Sequence, residues 1–281
     1  MPVDDSKGRL YVVATPLGNM EDVTLRALRV LRQVDLVACE DTRHSGAFLR
    51  SHGIATRTTS YFEHNERWKG ERILAELRAG RDVALVCDAG TPGISDPGFR
   101  LVREARDEGI PVVPVPGPSA VVTALSVSGL PTDRFLFVGF LPPRSGARRR
   151  ALEALEGVRE TLVVYESPVR AIASLEDMEA VLGDREAFLC REATKLHEEY
   201  RRGRLSELRA CLAGRDVVRG EIVLVIAGAV ERGASAAESV EAVYGRLVSD
   251  GRTRREAVKE TARRLGLPAR EVYRKVLPGP G

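Results

Sequence analysis

The first half of the chain alternates apolar runs of strand length with segments whose apolar residues recur at helical spacing. Four runs have the composition of buried strands: residues 10–14, 35–39, 82–87 and 110–115. Four segments have apolar positions three or four residues apart: 22–33, 66–79, 99–108 and 119–128. Glycine follows the last three of these segments, as it does at many helix ends. This alternation predicts a largely parallel sheet that is covered on both faces.

The second half repeats the alternation, with strands that are closer together in the sequence. Residues 135–140 predict a strand, and residues 141–150 are rich in proline and arginine, which indicates a linker. Three more strands and two helices are predicted: strands over 161–165, 186–192 and 221–228, and helices over 168–182 and around 204–213. Because these strands follow one another closely, we expect a mixed sheet.

The pattern changes again at about residue 234, where three short helical patterns are separated by Gly251 and by Gly266-Leu267-Pro268. We therefore expect an α/β fold with three parts. They are an N-terminal α/β domain over residues 9–140, a second α/β domain over 141–230, and a C-terminal basic segment of three helices over 235–278.

Composition restricts the class of protein. The chain has 281 residues, of which 43% are hydrophobic and 30% charged, so we expect a soluble globular protein. No apolar run reaches the roughly 18–20 residues that cross a bilayer, and the first nine residues contain no apolar region, so we expect no secretory signal there. The four cysteines are far apart in the sequence, as expected for reduced thiols in a cytoplasmic protein. No membrane association is expected.

The charge is distributed unevenly. The net charge is +3, but residues 240–281 hold ten basic and five acidic side chains, which leaves −2 on the rest of the chain. A basic segment on a mildly acidic body suggests an anionic partner that meets this segment.

Four predicted strands are followed by loops with polar or backbone-shaping residues: residues 15–19, 40–44, 88–98 and 116–119. The carboxyl ends of parallel strands meet at one edge of a sheet, where ligands bind. Gly and Pro in one such loop can simply mark a turn, but several loops at one edge indicate a site for a polar small molecule. The dinucleotide and P-loop glycine motifs are absent, and no motif predicts a metal site.

An ordered set of motifs carries a resemblance to a known family. They include LYVVATPLGN, DLVACEDTRHSG, ALVCDAGTPGISDPG, VVPVPGPSAVVTAL and REATKLHEE, within roughly residues 9–228. The chain resembles the ribosomal RNA small subunit methyltransferase I family, which belongs to the wider tetrapyrrole-methylase-like fold. The resemblance implies two α/β domains with S-adenosyl-L-methionine in the cleft between them. It also implies 2′-O-methylation of a cytidine ribose in the decoding region of 16S rRNA, within the small ribosomal subunit. A homodimer is expected from the same resemblance.

The resemblance assigns the cofactor pocket to matching positions in these motifs: Leu17, Gly18, Asp88, Gly90, Thr91, Ile94, Gly117, Ser119, Ala120, Glu166, Thr194 and, less closely matched, Ala227. Asp88 and Asp96 have two possible roles, since each carboxylate could hold its loop or meet the ammonium group of the cofactor.

Methyl transfer to a ribose hydroxyl requires alignment of the reactants and removal of the hydroxyl proton. Lys195 is the first candidate for handling this proton, provided that burial lowers its pKa, and Glu66 and Asp41 come next. Each of the three could also be an ordinary solvated side chain.

The RNA substrate implies contacts with phosphates. The candidate groups are Arg43, His64, Arg144, Arg148, Arg149, Arg254, Arg255, Arg263 and Arg264. The C-terminal pattern resembles a helix-turn-helix, although a basic helical cap is the alternative, and residues 141–150 could be a solvated linker.

Two other functions remain open. One is a methylase of the same fold that acts on a tetrapyrrole precursor, against which the basic segment and the EDTR, HNE and REATK motifs argue. The other is a regulator that binds nucleic acid and senses S-adenosyl-L-methionine without catalysis.

Overall fold

The computed structural model describes residues 7–230 and 240–276, and the chain forms two compact units, Met1–Gly228 and Ala229–Gly281. Residues 235–239 and 277–278 of the expected C-terminal segment lie outside the described residues. Among the helices of the described ranges, none has the length and apolarity that crossing a membrane requires.

The first unit begins with a five-stranded parallel sheet in the order β3-β2-β4-β1-β5. Its strands are β1 (Leu10–Val13), β2 (Leu36–Cys39), β3 (Thr58–Ser60), β4 (Val83–Leu85) and β5 (Val112–Val115). The helices are α1 (Leu25–Gln33), α2 (Thr42–Ser51), α3 (Glu66–Arg78), α4 (Phe99–Asp107) and α5 (Ala120–Ser128). Short 3₁₀ helices lie at Met20–Asp22 and Glu63–Asn65.

Alternate strand residues point to opposite faces of this sheet, so each face packs against its own helices. Val37 and Cys39 pack with Leu31 of α1 and Phe48 of α2. Leu36 and Ala38 instead belong to a core with residues of α3 and α4. The predicted parallel sheet with two covered faces is confirmed.

A second five-stranded sheet follows in the order β6-β7-β10-β8-β9. Its strands are β6 (Phe135–Phe140), β7 (Thr161–Glu166), β8 (Glu186–Arg191), β9 (Glu199–Arg204) and β10 (Ile222–Ile226). Strands β6 and β7 pair in parallel and the other pairs are antiparallel, so the sheet is mixed, as predicted. One face packs against α6 (Ser145–Glu153), α7 (Ala171–Leu182) and α8 (Leu205–Ala213).

The other face of the second sheet is covered by α5, which follows the last strand of the first sheet. Val121, Ala124 and Leu125 of α5 share a core with Val163 and Val225 of the second sheet. This packing joins the two sheets within one unit and brings the loop before α5 close to the second sheet.

The boundary near residue 140 differs from the one we expected. Strand β6, placed in the first domain by the sequence, is an edge strand of the second sheet because its backbone pairs with β7. The expected linker over 141–150 contains the start of helix α6. Within this helix, the guanidinium of Arg148 turns inward to a buried ion pair with Asp177 instead of facing solvent.

The second unit contains three helices, α9 (Val240–Ser249), α10 (Arg254–Leu265) and α11 (Ala269–Val276). Thr253 and Glu256 form a capping box at the start of α10, and Gly266 ends it in the left-handed conformation with φ 61°. Val240, Val258 and Val272 form part of a small core among the three helices. The three predicted helices are therefore confirmed within residues 240–276.

Candidate functional site

A cavity of about 380 Å³ lies at the carboxyl edge of the first sheet, facing the second sheet. The first half of the chain contributes Leu17, Glu40, Asp88, Ala89, Gly90, Thr91, Ile94, Ser95, Asp96, Ser119 and Ala120. The second half contributes Phe140, Tyr165, Glu166, Ser167, Pro168, Glu221, Ile222 and Val223. Cavities that hold small molecules measure about 300–1,000 Å³, so this cavity is large enough for one.

Backbone hydrogen bonds hold two of the cavity loops together. The amide of Thr15 donates to the carbonyl of Gly90 at 2.8 Å, and the amide of Gly90 donates to the carbonyl of Thr15 at 3.0 Å. The hydroxyl of Thr91 donates to the carbonyl of Pro118 at 3.1 Å, which ties the 88–98 loop to the loop before α5. The loops after β1, β4 and β5 thus form one connected wall of the cavity.

Glycine has a specific steric role in the 88–98 loop. Gly98 has φ 139°, and a Cβ there would lie 2.8 Å from the Leu85 side chain. Its amide donates to the Glu66 carboxylate at 3.2 Å, so Glu66 holds this loop from outside the cavity. The positive φ and the nearby Leu85 side chain both favour glycine at this position.

Besides Glu166, which pairs with Arg170, four carboxylates line the cavity and make it acidic: Glu40, Asp88, Asp96 and Glu221. Burial raises the pKa of Asp96 to about 6, and the charge of Glu40 adds to the effect. Burial also raises the pKa of Glu40, with Asp88 contributing further repulsion. A cation bound among these groups would relieve the repulsion and would be attracted by all four carboxylates.

Eight of the twelve expected cofactor residues line the cavity: Leu17, Asp88, Gly90, Thr91, Ile94, Ser119, Ala120 and Glu166. Asp88 also accepts a hydrogen bond from the amide of Asp41 at 3.3 Å, so its carboxylate holds a loop as well as facing the cavity. Glu166 is only 2% exposed. Its carboxylate accepts from Arg170 at 2.9 Å and from the Ser174 hydroxyl, so it is engaged by the protein itself.

The other four expected cofactor residues do not line the cavity. Ala227 follows the end of β10 opposite to Ile222, and the cavity lies at the Ile222 end. Gly117 is packed against Ala14, whose side chain would lie 3.0 Å from an added Cβ. Gly18 and Thr194 instead belong to a contact between the loop after β1 and the loop after β8. There the amide of Asn19 donates to the Thr194 hydroxyl at 3.2 Å.

The loop after β8 is held in an unusual backbone conformation. Glu192 and Thr194 have φ of 51° and 65°, a region that costs non-glycine residues about 1–3 kcal/mol each. An added Cβ on Gly18 would lie 2.2 Å from Cγ of Lys195. Strain and close packing together fix Lys195 beside the loop after β1.

The condition attached to Lys195 as a proton acceptor, that burial lowers its pKa, is not met. Its Nζ donates to Glu192 at 2.9 Å and to Glu221 at 3.1 Å. Partial burial lowers the pKa of Lys195, but the hydrogen bonds and charges of these two carboxylates outweigh burial and raise it. Lys195 is therefore a cation held at the rim of the cavity by Glu221, and it is a poor proton acceptor.

The other two catalytic candidates also lie outside the cavity lining. Asp41 caps α2 and pairs with Arg43 at 2.9 Å. Its hydrogen bonds with Arg43 lower the pKa of Asp41 to about 2, which makes it a weak base. Glu66 is engaged by the amide of Gly98, as described above.

The structure separates the basic candidates into buried and exposed groups. Arg148 is 3% exposed and pairs with Asp177 at 2.6 Å, so the expectation that it contacts RNA is wrong: its guanidinium is enclosed. Arg149 pairs with the same carboxylate but remains partly exposed. Arg43, His64 and Arg144 are exposed.

In the second unit, all four candidate arginines are exposed, but two of them are paired. Arg263 and Arg264 both form ion pairs with Glu260, at 2.7 and 3.1 Å. Arg254 and Arg255 begin α10, directly after its capping box. The positive charge available to an anion is therefore smaller than the sequence count suggests.

Several cavity residues were missed at the sequence level. Tyr165 and Phe140 form an aromatic wall, with ring centroids 5.5 Å apart. Burial is the largest cause that raises the pKa of Tyr165 to about 12, so its hydroxyl stays protonated. Glu221 precedes β10 and reaches the cavity because β10 runs antiparallel to β7. Glu40 could have been identified from the sequence as a cavity residue, because it directly follows a buried strand.

Several known proteins resemble this chain in sequence. The family model for Tetrapyrrole (Corrin/Porphyrin) Methylases matches residues 9–209. The chain is 45% identical over 278 residues to the ribosomal RNA small subunit methyltransferase I of Halalkalibacterium halodurans, covering 96% of this chain and 94% of the relative. Other relatives, 43% to 52% identical, carry the same name.

Solved structures show the same fold. The uroporphyrin-III-C-methyltransferase of Thermus thermophilus matches with a TM-score of 0.56 and 25% identity, over 78% of this chain and 94% of that chain. A structure of that enzyme complexed with S-adenyl homocysteine matches with a TM-score of 0.55 and 23% identity, over 78% of this chain and 97% of that chain.

Proposed function

Because the chain belongs to the ribosomal RNA small subunit methyltransferase I family within the tetrapyrrole methylases, we propose that it is an S-adenosyl-L-methionine-dependent rRNA methyltransferase. Its proposed target is the ribose 2′-hydroxyl of a cytidine in the decoding region of 16S rRNA, in the small ribosomal subunit. We further propose that it acts in the cytoplasm as a homodimer.

The acidic cavity is the observation that carries this proposal. S-adenosyl-L-methionine has a sulfonium and an ammonium group, and Glu40, Asp88, Asp96 and Glu221 would attract both positive charges. Leu17, with Tyr165 and Phe140 opposite, provides apolar surface for the uncharged part of such a ligand. The residues present therefore fit the cofactor that the family uses.

The bound cofactor supplies an already activated methyl group, so the chain mainly has to align the acceptor and stabilise charge. Lys195 would do the second task as a cation, because an ammonium stabilises the alkoxide that develops when the ribose hydroxyl loses its proton. Glu192 and Glu221 keep Lys195 protonated and hold it at the cavity rim. Of the cavity acids, Asp96 would accept that proton, because burial favours its protonated form.

The test is methyl transfer from labelled S-adenosyl-L-methionine to small ribosomal subunits that lack the modification. The expected product is 2′-O-methylcytidine, which makes the adjacent phosphodiester resistant to alkaline hydrolysis and leaves a gap in an alkaline ladder. Label on a base, or on an added tetrapyrrole precursor instead of the rRNA, would contradict the proposal. Cofactor binding without any transfer would favour a non-catalytic sensor.

A further inference from the structure

A second recess, of about 200 Å³, lies on the outer edge of the first sheet between β3 and α3. Its polar lining consists of Arg57, Thr58, Thr59, Lys69, Arg72 and Glu76. None of these residues lines the acidic cavity. The recess is smaller than the roughly 300–1,000 Å³ of sites that enclose a whole small molecule, so it suits one group of a larger ligand.

Two cations in this recess are held by neutral groups. Nζ of Lys69 donates to the Thr59 hydroxyl at 3.0 Å and lies 5.0 Å from the centre of the Trp68 ring. The guanidinium carbon of Arg72 lies 5.1 Å from the same ring centre. Within the described ranges, no carboxylate forms a salt bridge with either side chain, whereas Arg78 of the same helix pairs with Glu71 and Glu108. The positive charges of Lys69 and Arg72 therefore remain available to an anion.

The remaining charges also favour an anion. Glu76 is the acidic residue of the lining, and its carboxylate forms ion pairs with both Arg57 and Arg81. The recess is therefore positive, although the chain outside residues 240–281 has a net charge of −2. The contrast with the acidic cavity is consistent with two different ligands, a cation in one and an anion in the other.

Trp68 adds a flat aromatic surface beside these cations. It is the only tryptophan of the chain, and it is 52% exposed. Contacts with Lys69 and Arg72 orient the ring while leaving half of it open to solvent. An exposed ring beside available cations is the combination that binds single-stranded nucleic acid, because bases stack on the ring and phosphates meet the cations.

The position of the recess relates it to the acidic cavity. Leu36 at the start of β2 lines the recess, and Glu40 just after β2 lines the cavity. At about 3.3 Å per residue, these two points are about 13 Å apart along the strand. Helix α3 links the two sites as well, since Glu66 at its start binds the amide of Gly98 in the cavity loop. A single RNA strand of a few nucleotides can reach both.

We propose that the recess between β3 and α3 binds a phosphodiester of the RNA strand through Lys69 and Arg72, and that Trp68 stacks on a neighbouring base. This inference rests on the proposed function for its choice of RNA as the polyanion. It assigns substrate affinity to a surface separate from the acidic cavity and from the second unit.

The single tryptophan allows a direct test in the full-length protein. Titration with a short single-stranded RNA from the decoding region should quench Trp68 fluorescence, and inorganic phosphate should compete. Lys69→Gln combined with Arg72→Gln should weaken binding at low salt. The slope of log K against log salt should fall by about 0.7 for each phosphate that the variant no longer neutralises. Trp68→Leu, followed with a fluorescein-labelled RNA, should weaken binding about tenfold.

Arg103→Gln is the matched control, because Arg103 is an exposed cation on α4 that lies 3.8 Å from Asp107. It should leave RNA affinity unchanged. Thermal melting and cofactor calorimetry should be unchanged in all variants, which separates weaker RNA binding from misfolding. Unquenched Trp68 at saturating labelled RNA, or wild-type affinity in the double variant, would overturn the inference.

Methyl transfer distinguishes failure of this inference from failure of the proposed function. Quenching that depends on Lys69 and Arg72, without any methyl transfer, would support the recess and contradict the enzyme. Normal methyl transfer with an unchanged KM for RNA in the double variant would support the enzyme and contradict RNA binding in the recess. Quenching by phosphate but not by RNA would identify a small-anion site and overturn the inference.

Discussion

Asp96→Asn should stabilise the cofactor-free protein at alkaline pH while weakening its binding of S-adenosyl-L-methionine. Asp96 is partly buried beside Glu40, and its pKa is raised from 3.8 to about 6. The protonated acid therefore contributes stability that is complete below about pH 3.8 and is lost as the pH rises through about 6. Asparagine is neutral at every pH, so its advantage over aspartate grows over this range.

The size of the effect follows from the pKa. Each pKa unit is worth roughly 1.4 kcal/mol, so a rise in the pKa of Asp96 from 3.8 to about 6 lowers the free energy of unfolding by about 3 kcal/mol once the group is ionised. Partial solvent exposure screens the charge, so we expect about 1–2 kcal/mol at pH 8. At pH 4.5 the gain should fall to about a third of that value, because most of the folded protein then carries a proton on Asp96.

Urea denaturation followed by circular dichroism at both pH values measures this gain in the free energy of unfolding. Asp107→Asn is the control, because Asp107 is exposed on α4, and it should change the free energy by less than about 0.5 kcal/mol. Calorimetry at pH 8 should show cofactor affinity reduced about tenfold or more in Asp96→Asn, since a charged hydrogen-bond acceptor is removed. A destabilised variant, or a gain that is the same at both pH values, would show that burial does not set the pKa of Asp96.

Three further predictions concern the cation at the rim, the buried ion pair and the second unit. Lys195→Met should lower the rate of methyl transfer about 10²–10³-fold while leaving cofactor affinity nearly unchanged. Lys195→Arg keeps the positive charge and should retain more activity. Near-normal turnover in the Met variant would exclude a role for Lys195 in methyl transfer. Arg148→Ala should reduce the free energy of unfolding by about 1.5–3 kcal/mol, because Asp177 loses its buried partner but keeps Arg149, whereas exposed Arg144→Ala should have little effect. Equal urea midpoints for the two variants would contradict the buried pair. Deleting residues 235–281 should weaken binding to small ribosomal subunits in a salt-dependent way, and unchanged affinity at low salt would exclude an RNA role for this segment.

The six interior strands of the two sheets are all predicted from the sequence. Strands β1, β2 and β4 appear in the sequence as continuous apolar runs because helices cover both faces of their sheet. Edge strands β3 and β9 lack this signal, whereas the apolar residues of edge strands β5 and β6 still predict them. Strand β3 has the sequence Thr-Thr-Ser, and β9 carries four charged residues, since the exposed edge of a sheet does not require apolar side chains.

The sheet to which β6 belongs could not be predicted from the local sequence pattern. Its apolar residues fit the edge of either sheet, and only its pairing with β7 places it in the second. Likewise, the arginines of 141–150 look like a solvated cluster in sequence. The structure shows that Arg148 is buried because Asp177, 29 residues further along, supplies its partner.

Local sequence was sufficient to specify the alternating elements, the parallel first sheet and the loops that form the cavity, because burial and turn geometry act on neighbouring residues. Eight of the twelve residues that the family resemblance assigns to the cofactor line this cavity. The charge states within the site, in contrast, depend on how the folded chain brings distant residues together. The raised pKa of Asp96 depends on burial and then on Glu40, and that of Lys195 depends on Glu192 and Glu221. Electrostatic energies depend on distance and burial in three dimensions, which spacing along the chain does not specify.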